Sequence, residues 1–204
     1  MEKYYLMAVK YNNGSAMTNL GLIYENQKKY DLAEKYYLMA VEEESDTGMY
    51  NLGLLYDNQK KYTLAEKYYL MAIQKNYSDA MYNLALLYDN QEKFSLAEKY
   101  YLMAIKENDS DAMYNLALIY DNQKKYPLAE KYYLMAVEAN DSDATFNLAL
   151  LYDNQKKYNL AEKYYLIAVK DNSTKAMYNL GILYKIQKKF CKNVNRIFDR
   201  NKVS

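Results

Sequence analysis

The sequence predicts an all-α fold, a solenoid built from tandem antiparallel helix pairs, and three observations carry that expectation. The string LAEKYYLMA at 32–40 returns at 64–72, 96–104 and 128–136, and as LAEKYYLIA at 160–168. A second landmark keeps the same 32-residue step: Asn19, Asn51, Asn83, Asn115, Asn147 and Asn179, each followed by Leu and then, four residues on, by Tyr. Self-similarity at such a period marks a repeat architecture, in which each unit buries its apolar face on the next. Finally, 51% of the 204 residues are apolar while only 5 are Gly and 1 is Pro, which suits a continuous helical core and leaves little for sheets or long loops.

Taken in order, residues 1–12 read as the back half of a unit, a lone second helix. Five full repeats follow at 14–44, 46–76, 78–108, 110–140 and 142–172, and a degenerate repeat at 174–204 closes the chain. Within 78–108, Met81, Leu84, Leu87 and Tyr88 recur at helical spacing, as do Leu96, Ala97, Tyr100, Tyr101, Ala104 and Ile105. Each unit therefore holds two amphipathic helices, A and B, of roughly 13 residues. Asp46, Ser78, Ser110, Ser142 and Thr174 precede helix A as expected N-caps. Helix B opens on Asp31, Thr63, Ser95 or Asn159, three residues before Glu34, Glu66, Glu98 or Glu162, and the Thr and Ser copies predict capping boxes. Pro127 takes that place once, which a helix start tolerates. Asn76, Asn108, Asn140 and Asn172 stand where helix B stops, and asparagine tolerates left-handed backbone. Alanines at 33, 65, 97, 129 and 161, and again at 40, 72, 104, 136 and 168, let helices approach, with Tyr37, Tyr69, Tyr101, Tyr133 and Tyr165 filling the space they leave.

After Phe190 the pattern fails, and Val194, Ile197 and Phe198 predict a divergent closing helix. From Lys185 onward seven basic residues face one acid, so the tail carries about +6 and the remainder about −5 of the total +1. A polar cap that keeps the last repeat soluble is the preferred reading of that basic tail. Contact with nucleic acid or acidic lipid is the alternative.

Composition also bounds function. The chain has no histidine, a single Cys191, no Gly-rich loop and no metal-spaced Cys/His cluster, so we expect no catalytic residues, no metal and no cofactor. One cysteine forms no internal disulfide and suits a reducing compartment. No stretch approaches the roughly 18 apolar residues of a membrane span, and the apolar start belongs to a repeat. We expect an intracellular, cytoplasmic protein.

The motif L-[GA]-x-x-Y in helix A, with Tyr30, Ala33, Tyr37 and Ala40 at their spacings in B, resembles the tetratricopeptide repeat, and Met17, Met49, Met81 and Met113 stand where that family often has Trp. The run AIQKNYSDAMYNL at 72–84 is closer to Sel1-like repeats. The resemblance covers residues 2 to about 190 and implies a right-handed superhelix. The units depart from it in having Lys28, Lys60, Glu92, Lys124, Lys156 and Lys188 where Gly is expected between A and B, and Ala85, Ala117 and Ala149 for the helix-A glycine.

The resemblance further implies a noncatalytic protein-interaction scaffold whose A helices line a groove for a peptide or helical segment. Carried over, the groove positions are Tyr50, Asn51, Leu54 and Asp57; Tyr82, Asn83, Leu86 and Asp89; Tyr114, Asn115, Leu118 and Asp121; and Phe146, Asn147, Leu150 and Asp153, flanked by Leu22, Glu25, Tyr178 and Ile182. An asparagine amide both donates to and accepts from a peptide bond. The Asn row has a second reading, as bonds to a neighbouring helix. For the acids, Lys at i+3 and i+4 of Asp57 and Asp121 makes a solvated local pair the preferred explanation. A carboxylate clamp of Lys and Asn is not expected, since Tyr82 and Leu86 stand in its places. An acidic row with tyrosine suits a basic or amphipathic partner segment. Two other classes stay open: head-to-tail self-association into a structural module through the unpartnered first helix, and a nucleic-acid-binding helical repeat, disfavoured by the acidic body.

Overall fold

The structure, a computed structural model, describes the backbone of residues 2–200 and the side chains of residues 2–187. Twelve helices are described: α1 (Glu2–Val9), α2 (Gly14–Asn26), α3 (Tyr30–Glu42), α4 (Asp46–Asn58), α5 (Tyr62–Gln74), α6 (Asp79–Asn90), α7 (Phe94–Lys106), α8 (Ser110–Asn122), α9 (Tyr126–Glu138), α10 (Ser142–Asn154), α11 (Tyr158–Lys170) and α12 (Thr174–Arg200). No strand occurs among the described residues. The chain divides into two compact units, Met1–Asp109 and Ser110–Ser204.

Packing in each unit is mainly between consecutive helices. A pairs with its own B (α2 with α3, α4 with α5, α6 with α7; α8 with α9, α10 with α11), and each B also packs on the next A (α3 on α4, α5 on α6; α9 on α10, α11 on α12). Consecutive A helices touch as well, α2 with α4, α4 with α6, α8 with α10 and α10 with α12. This all-α stacking of pairs is the solenoid the repeat predicts. Its core is the periodic set: the two alanines of each full-length B helix are wholly buried, and Tyr37, Tyr69, Tyr101, Tyr133 and Tyr165 are the largest side chains with no exposure. Burying such a ring contributes roughly 2–3 kcal/mol.

Helix starts differ from expectation. The side chains that cap A helices lie one residue earlier: Asn13 accepts from the Ala16 amide at 2.8 Å, Ser45 from Gly48 at 3.1 Å, Asp141 from Ala144 at 2.8 Å and Ser173 from Ala176 at 3.3 Å. Asp46, Ser142 and Thr174 are already helical, and Ser78 makes no capping bond. The capping boxes do not form. All five full-length B helices begin at the aromatic residue, with Lys29, Lys61, Lys93, Lys125 and Lys157 at the cap position and no side-chain capping bond. Glu34, Glu66, Glu130 and Glu162 are engaged elsewhere, by tyrosines of the following repeat.

Every turn uses one left-handed residue. Asn12, Glu44, Asn76, Asn108, Asn140 and Asn172 take φ of 54–66° between B and A, and Lys28, Lys60, Glu92, Lys124 and Lys156 take 58–60° between A and B. The missing glycines therefore leave the turn geometry intact, at a cost of about 1 kcal/mol at each lysine or glutamate. At Lys188 no turn forms, and α12 runs on as one helix to Arg200. Each earlier A helix ends on Asn, at 26, 58, 90, 122 and 154, whereas Ile186 holds that place in α12 and propagates helix more readily. Cys191, Val194, Ile197 and Phe198 lie outside the described side chains.

Candidate functional site

The carried-over residues fall on one stripe of successive A helices because i, i+1, i+4 and i+7 share a helix face. In the first unit Tyr50, Asn51, Leu54 and Asp57 project from α4, and Tyr82, Asn83, Leu86 and Asp89 from α6. In the second unit Tyr114, Asn115, Leu118 and Asp121 project from α8, and Phe146, Asn147, Leu150 and Asp153 from α10. All sixteen are half-buried, neither core nor free surface. Toward the ends the row is barer, with Leu22 at 38%, Ile182 at 40% and Tyr178 at 72% exposure.

Asparagine links one rung to the previous one. Asn83 Nδ2 donates to the Tyr50 hydroxyl at 3.0 Å and to the Asp79 carbonyl at 3.0 Å, and Asn147 Nδ2 donates to Tyr114 at 2.8 Å. In the first pair Thr18 stands in the tyrosine place and bonds instead to Gly14 O and Ser45 Oγ. Both reported donations of Asn83 come from its amide nitrogen, so its carbonyl oxygen is the group suited to a ligand N–H. The aromatic rings lean on the buried tyrosines of helix B, Tyr50 on Tyr69 at 6.2 Å, Tyr82 on Tyr101 at 6.1 Å, Tyr114 on Tyr133 at 6.2 Å and Phe146 on Tyr165 at 6.1 Å. Tyr77 adds a ring 4.9 Å from Tyr50.

The acid row accepts from those same buried tyrosines, not from nearby lysines. Tyr37 donates to Glu25 at 2.8 Å, Tyr69 to Asp57 at 3.4 Å, Tyr101 to Asp89 at 3.5 Å and Tyr165 to Asp153 at 3.4 Å. Among the described residues the ion pairs are Lys75–Glu44 and Lys157–Glu130, and neither involves the row. Burial pushes the carboxyls of Asp57, Asp89 and Asp121 above the usual value, partly offset at the first two by the tyrosine bond. Burial, reinforced by the acids, drives Tyr37, Tyr69, Tyr101 and Tyr133 far above the usual phenol value, so all four stay protonated.

A second lattice, which local motif reading missed, ties repeats together away from the stripe. Tyr24 donates to Glu2 at 2.8 Å, Tyr56 to Glu34 at 2.8 Å, Tyr152 to Glu130 at 2.9 Å and Tyr184 to Glu162 at 2.7 Å, and Tyr88 bonds to Glu66. Tyr24, Tyr56, Tyr88, Tyr120 and Tyr152 each stack on the tyrosine twelve residues later at 5.4–5.7 Å. Lysines flank each stack, for example Lys61 at 5.4 Å from the Tyr56 centroid and Lys67 at 4.9 Å from Tyr68. The signal was present as the pair spacings of 12 and 22, which no single-helix template tests.

Among the described residues no cluster of three or more His, Cys, Asp and Glu side chains could hold a metal ion, and no helix is long and apolar enough to cross a membrane.

Comparison with known proteins matches the tetratricopeptide repeat family at residues 82–145 and again at 14–47, 46–74 and 142–170, and the Sel1 repeat family at 174–186. A search of curated proteins finds no match. Among solved structures, the chain is similar to c5321, a protective antigen of uropathogenic Escherichia coli with an SLR fold, at 19% identity and a TM-score of 0.74. That match covers 91% of this chain but 44% of c5321, so the chain spans less than half of that protein. A Sel1 repeat protein from Oxalobacter formigenes matches at 26% identity and a TM-score of 0.67, over 86% of this chain and 78% of the other. YrrB, described as a TPR protein with an unusual peptide-binding site, matches at 18% identity and a TM-score of 0.65, over 92% of this chain and 100% of YrrB. Repeats of these kinds are generally noncatalytic protein-interaction scaffolds. The chain belongs to the tetratricopeptide and Sel1-like repeat superfamily.

Proposed function

We propose that the chain is a noncatalytic scaffold that holds an extended or helical segment of a partner protein against the A-helix stripe of each unit. One observation carries this reading: the rungs on α4, α6, α8 and α10 offer the same half-buried set, an aromatic ring, an asparagine, a leucine and an acid, and at Asn83 and Asn147 the amide is already oriented by a tyrosine hydroxyl. Pre-oriented groups lose less freedom when a ligand arrives. Leucine and ring supply apolar contact, the asparagine carbonyl accepts from a backbone N–H, and the acids favour basic side chains. A basic or amphipathic segment fits this chemistry.

The test begins with peptide display on the whole chain, followed by fluorescence anisotropy of a selected peptide. Leu54→Ala with Leu86→Ala, and separately Asp57→Asn with Asp89→Asn, should each weaken binding at least about tenfold, and selected peptides should be enriched in Lys and Arg. Selection of peptides whose affinity ignores both pairs of changes would refute the stripe as the contact surface.

A further inference from the structure

The two ends of each helix pair carry opposite charge. The turns from A to B, residues 26–32, 58–64, 90–96, 122–128 and 154–160, contain nine lysines against Asp31 and Glu92, a net of +7. The turns from B to A, residues 10–16, 42–48, 74–80, 106–112, 138–144 and 170–176, contain twelve acids and five lysines, a net of −7. Consecutive A-to-B turns lie side by side, since Lys28 and Tyr30 line one shallow depression with Leu55, Asn58 and Gln59. Each unit therefore has a basic edge of its own, three turns in the first and two in the second.

That edge is also where large apolar side chains are left bare. Tyr30, Tyr62, Phe94 and Tyr126 are 39–46% exposed, and Leu32, Leu64, Leu96, Leu128 and Leu160 are 39–40% exposed. The acidic edge has no matching row: Tyr11, in the first B-to-A turn, is its one exposed large apolar residue among those described.

The backbone adds an independent sign. Lys28, Lys60, Lys124 and Lys156 hold the left-handed position of their turns, which costs a lysine free energy that glycine or asparagine avoids. The B-to-A turns of the same chain place asparagine at that geometry five times, at 12, 76, 108, 140 and 172. A charge is kept here against the backbone's preference. All four lysines are exposed, whereas Lys29, Lys61, Lys93, Lys125 and Lys157 stand over tyrosine rings at 5.4–5.8 Å.

We propose that the basic edge of each unit is a peripheral docking surface for an anionic lipid bilayer, with lysines against the headgroups and the aromatic and leucine tips in the interfacial layer. Rows of lysine beside exposed aromatic and leucine side chains are the chemistry that such an interface rewards. A second copy would meet the lysines with its acidic edge but leave the leucines unmatched. A nucleic acid would do the same, and the edge offers an acidic peptide no deep groove.

The experiment is co-sedimentation of the whole chain with vesicles of phosphatidylcholine containing about one third phosphatidylserine, and with phosphatidylcholine alone, across a salt series. The chain should bind the anionic vesicles, release with salt and ignore the neutral ones. The variant Lys28→Asn, Lys60→Asn, Lys124→Asn, Lys156→Asn keeps a residue suited to the turn, so it stays folded, and it should bind roughly a hundredfold more weakly. The Leu64→Gln, Leu96→Gln variant should lose the binding that survives at higher salt. The proposal is overturned by no binding to anionic vesicles at low salt, by binding that the lysine changes leave unaltered, or by leucine changes without effect, which would mark a plain polyanion site for nucleic acid or an acidic protein.

Discussion

Replacing Asp121 by glutamate should stabilise the chain, because it supplies the one hydrogen bond missing from a row of near-identical sites. In the first pair Glu25 reaches the buried Tyr37 hydroxyl at 2.8 Å, whereas Asp57, Asp89 and Asp153 stand 3.4–3.5 Å from their tyrosines. At Asp121 the bond is lost, and the wholly buried Tyr133 hydroxyl has no partner. Side-chain length decides this more than the helix-A glycine does: the Gly53 pair and the Ala85 pair have nearly the same tyrosine–acid distance. A glutamate extends the carboxylate by one carbon–carbon bond, about 1.5 Å. A bond from a buried hydroxyl to a charged acceptor contributes about 1.5–3 kcal/mol, and ordering the longer side chain costs up to about 1 kcal/mol. The net gain is about 1.5 kcal/mol, which raises the melting midpoint of a chain this long by about 4 °C. Thermal and urea unfolding followed by far-ultraviolet circular dichroism measure it. The control is Tyr133→Phe, which removes the orphan hydroxyl, should itself be neutral or stabilising, and should abolish the gain from Asp121→Glu. An unchanged midpoint in Asp121→Glu, or the same gain in the Tyr133→Phe background, would refute the reasoning.

Three further outcomes are expected. Ser45→Ala removes an observed cap and should cost about 1 kcal/mol, while Thr63→Ala, at a helix start with no side-chain capping bond, should shift the urea midpoint by less than about a third of that. A double-mutant cycle on Asn147→Ala and Tyr114→Phe should return a coupling of about 1 kcal/mol from unfolding measurements, and additivity would mean the bond contributes nothing. The pH dependence follows from Asp57, Asp89 and Asp121, whose folded pKa values lie above the ordinary 3.8, so their contribution favours folding most below that value and is lost as pH rises through the folded values. Changing all three to Asn should therefore stabilise the chain relative to wild type at neutral pH by an amount that shrinks as the pH is lowered toward 4, measured by urea unfolding at each pH.

The helices were legible because their apolar spacing is local and repeated, and the left-handed asparagines because that conformation is a property of one residue. Caps were misplaced where two eligible residues adjoin, as in Ser45–Asp46, Asp141–Ser142 and Ser173–Thr174, and only geometry chooses between them. The Thr63–Glu66 pattern satisfies a capping-box template, yet Glu66 bonds Tyr88, twenty-two residues on. The acid row misled in the same way, with lysines close in sequence but tyrosines twelve residues away as the actual donors. What a local template cannot see is a partner on another helix, and the Tyr–Asp, Tyr–Glu and Asn–Tyr bonds are all of that kind. The Asn row lay between these cases: its helix-interior position called for a tertiary reason, and the structure supplies one at Asn83 and Asn147.

The longest reach of any hydrogen bond described is 33 residues, from Asn83 to Tyr50 and from Asn147 to Tyr114. Each link thus reaches no further than the adjacent repeat, at most one residue beyond a period, and links of the same kind recur along the chain. An in-frame excision of any interior 32-residue block would bring together two helices that already have the right faces, caps and tyrosines to meet. Duplication of a block would do likewise. The number of rungs is therefore free to change in whole steps with no new contact to be invented.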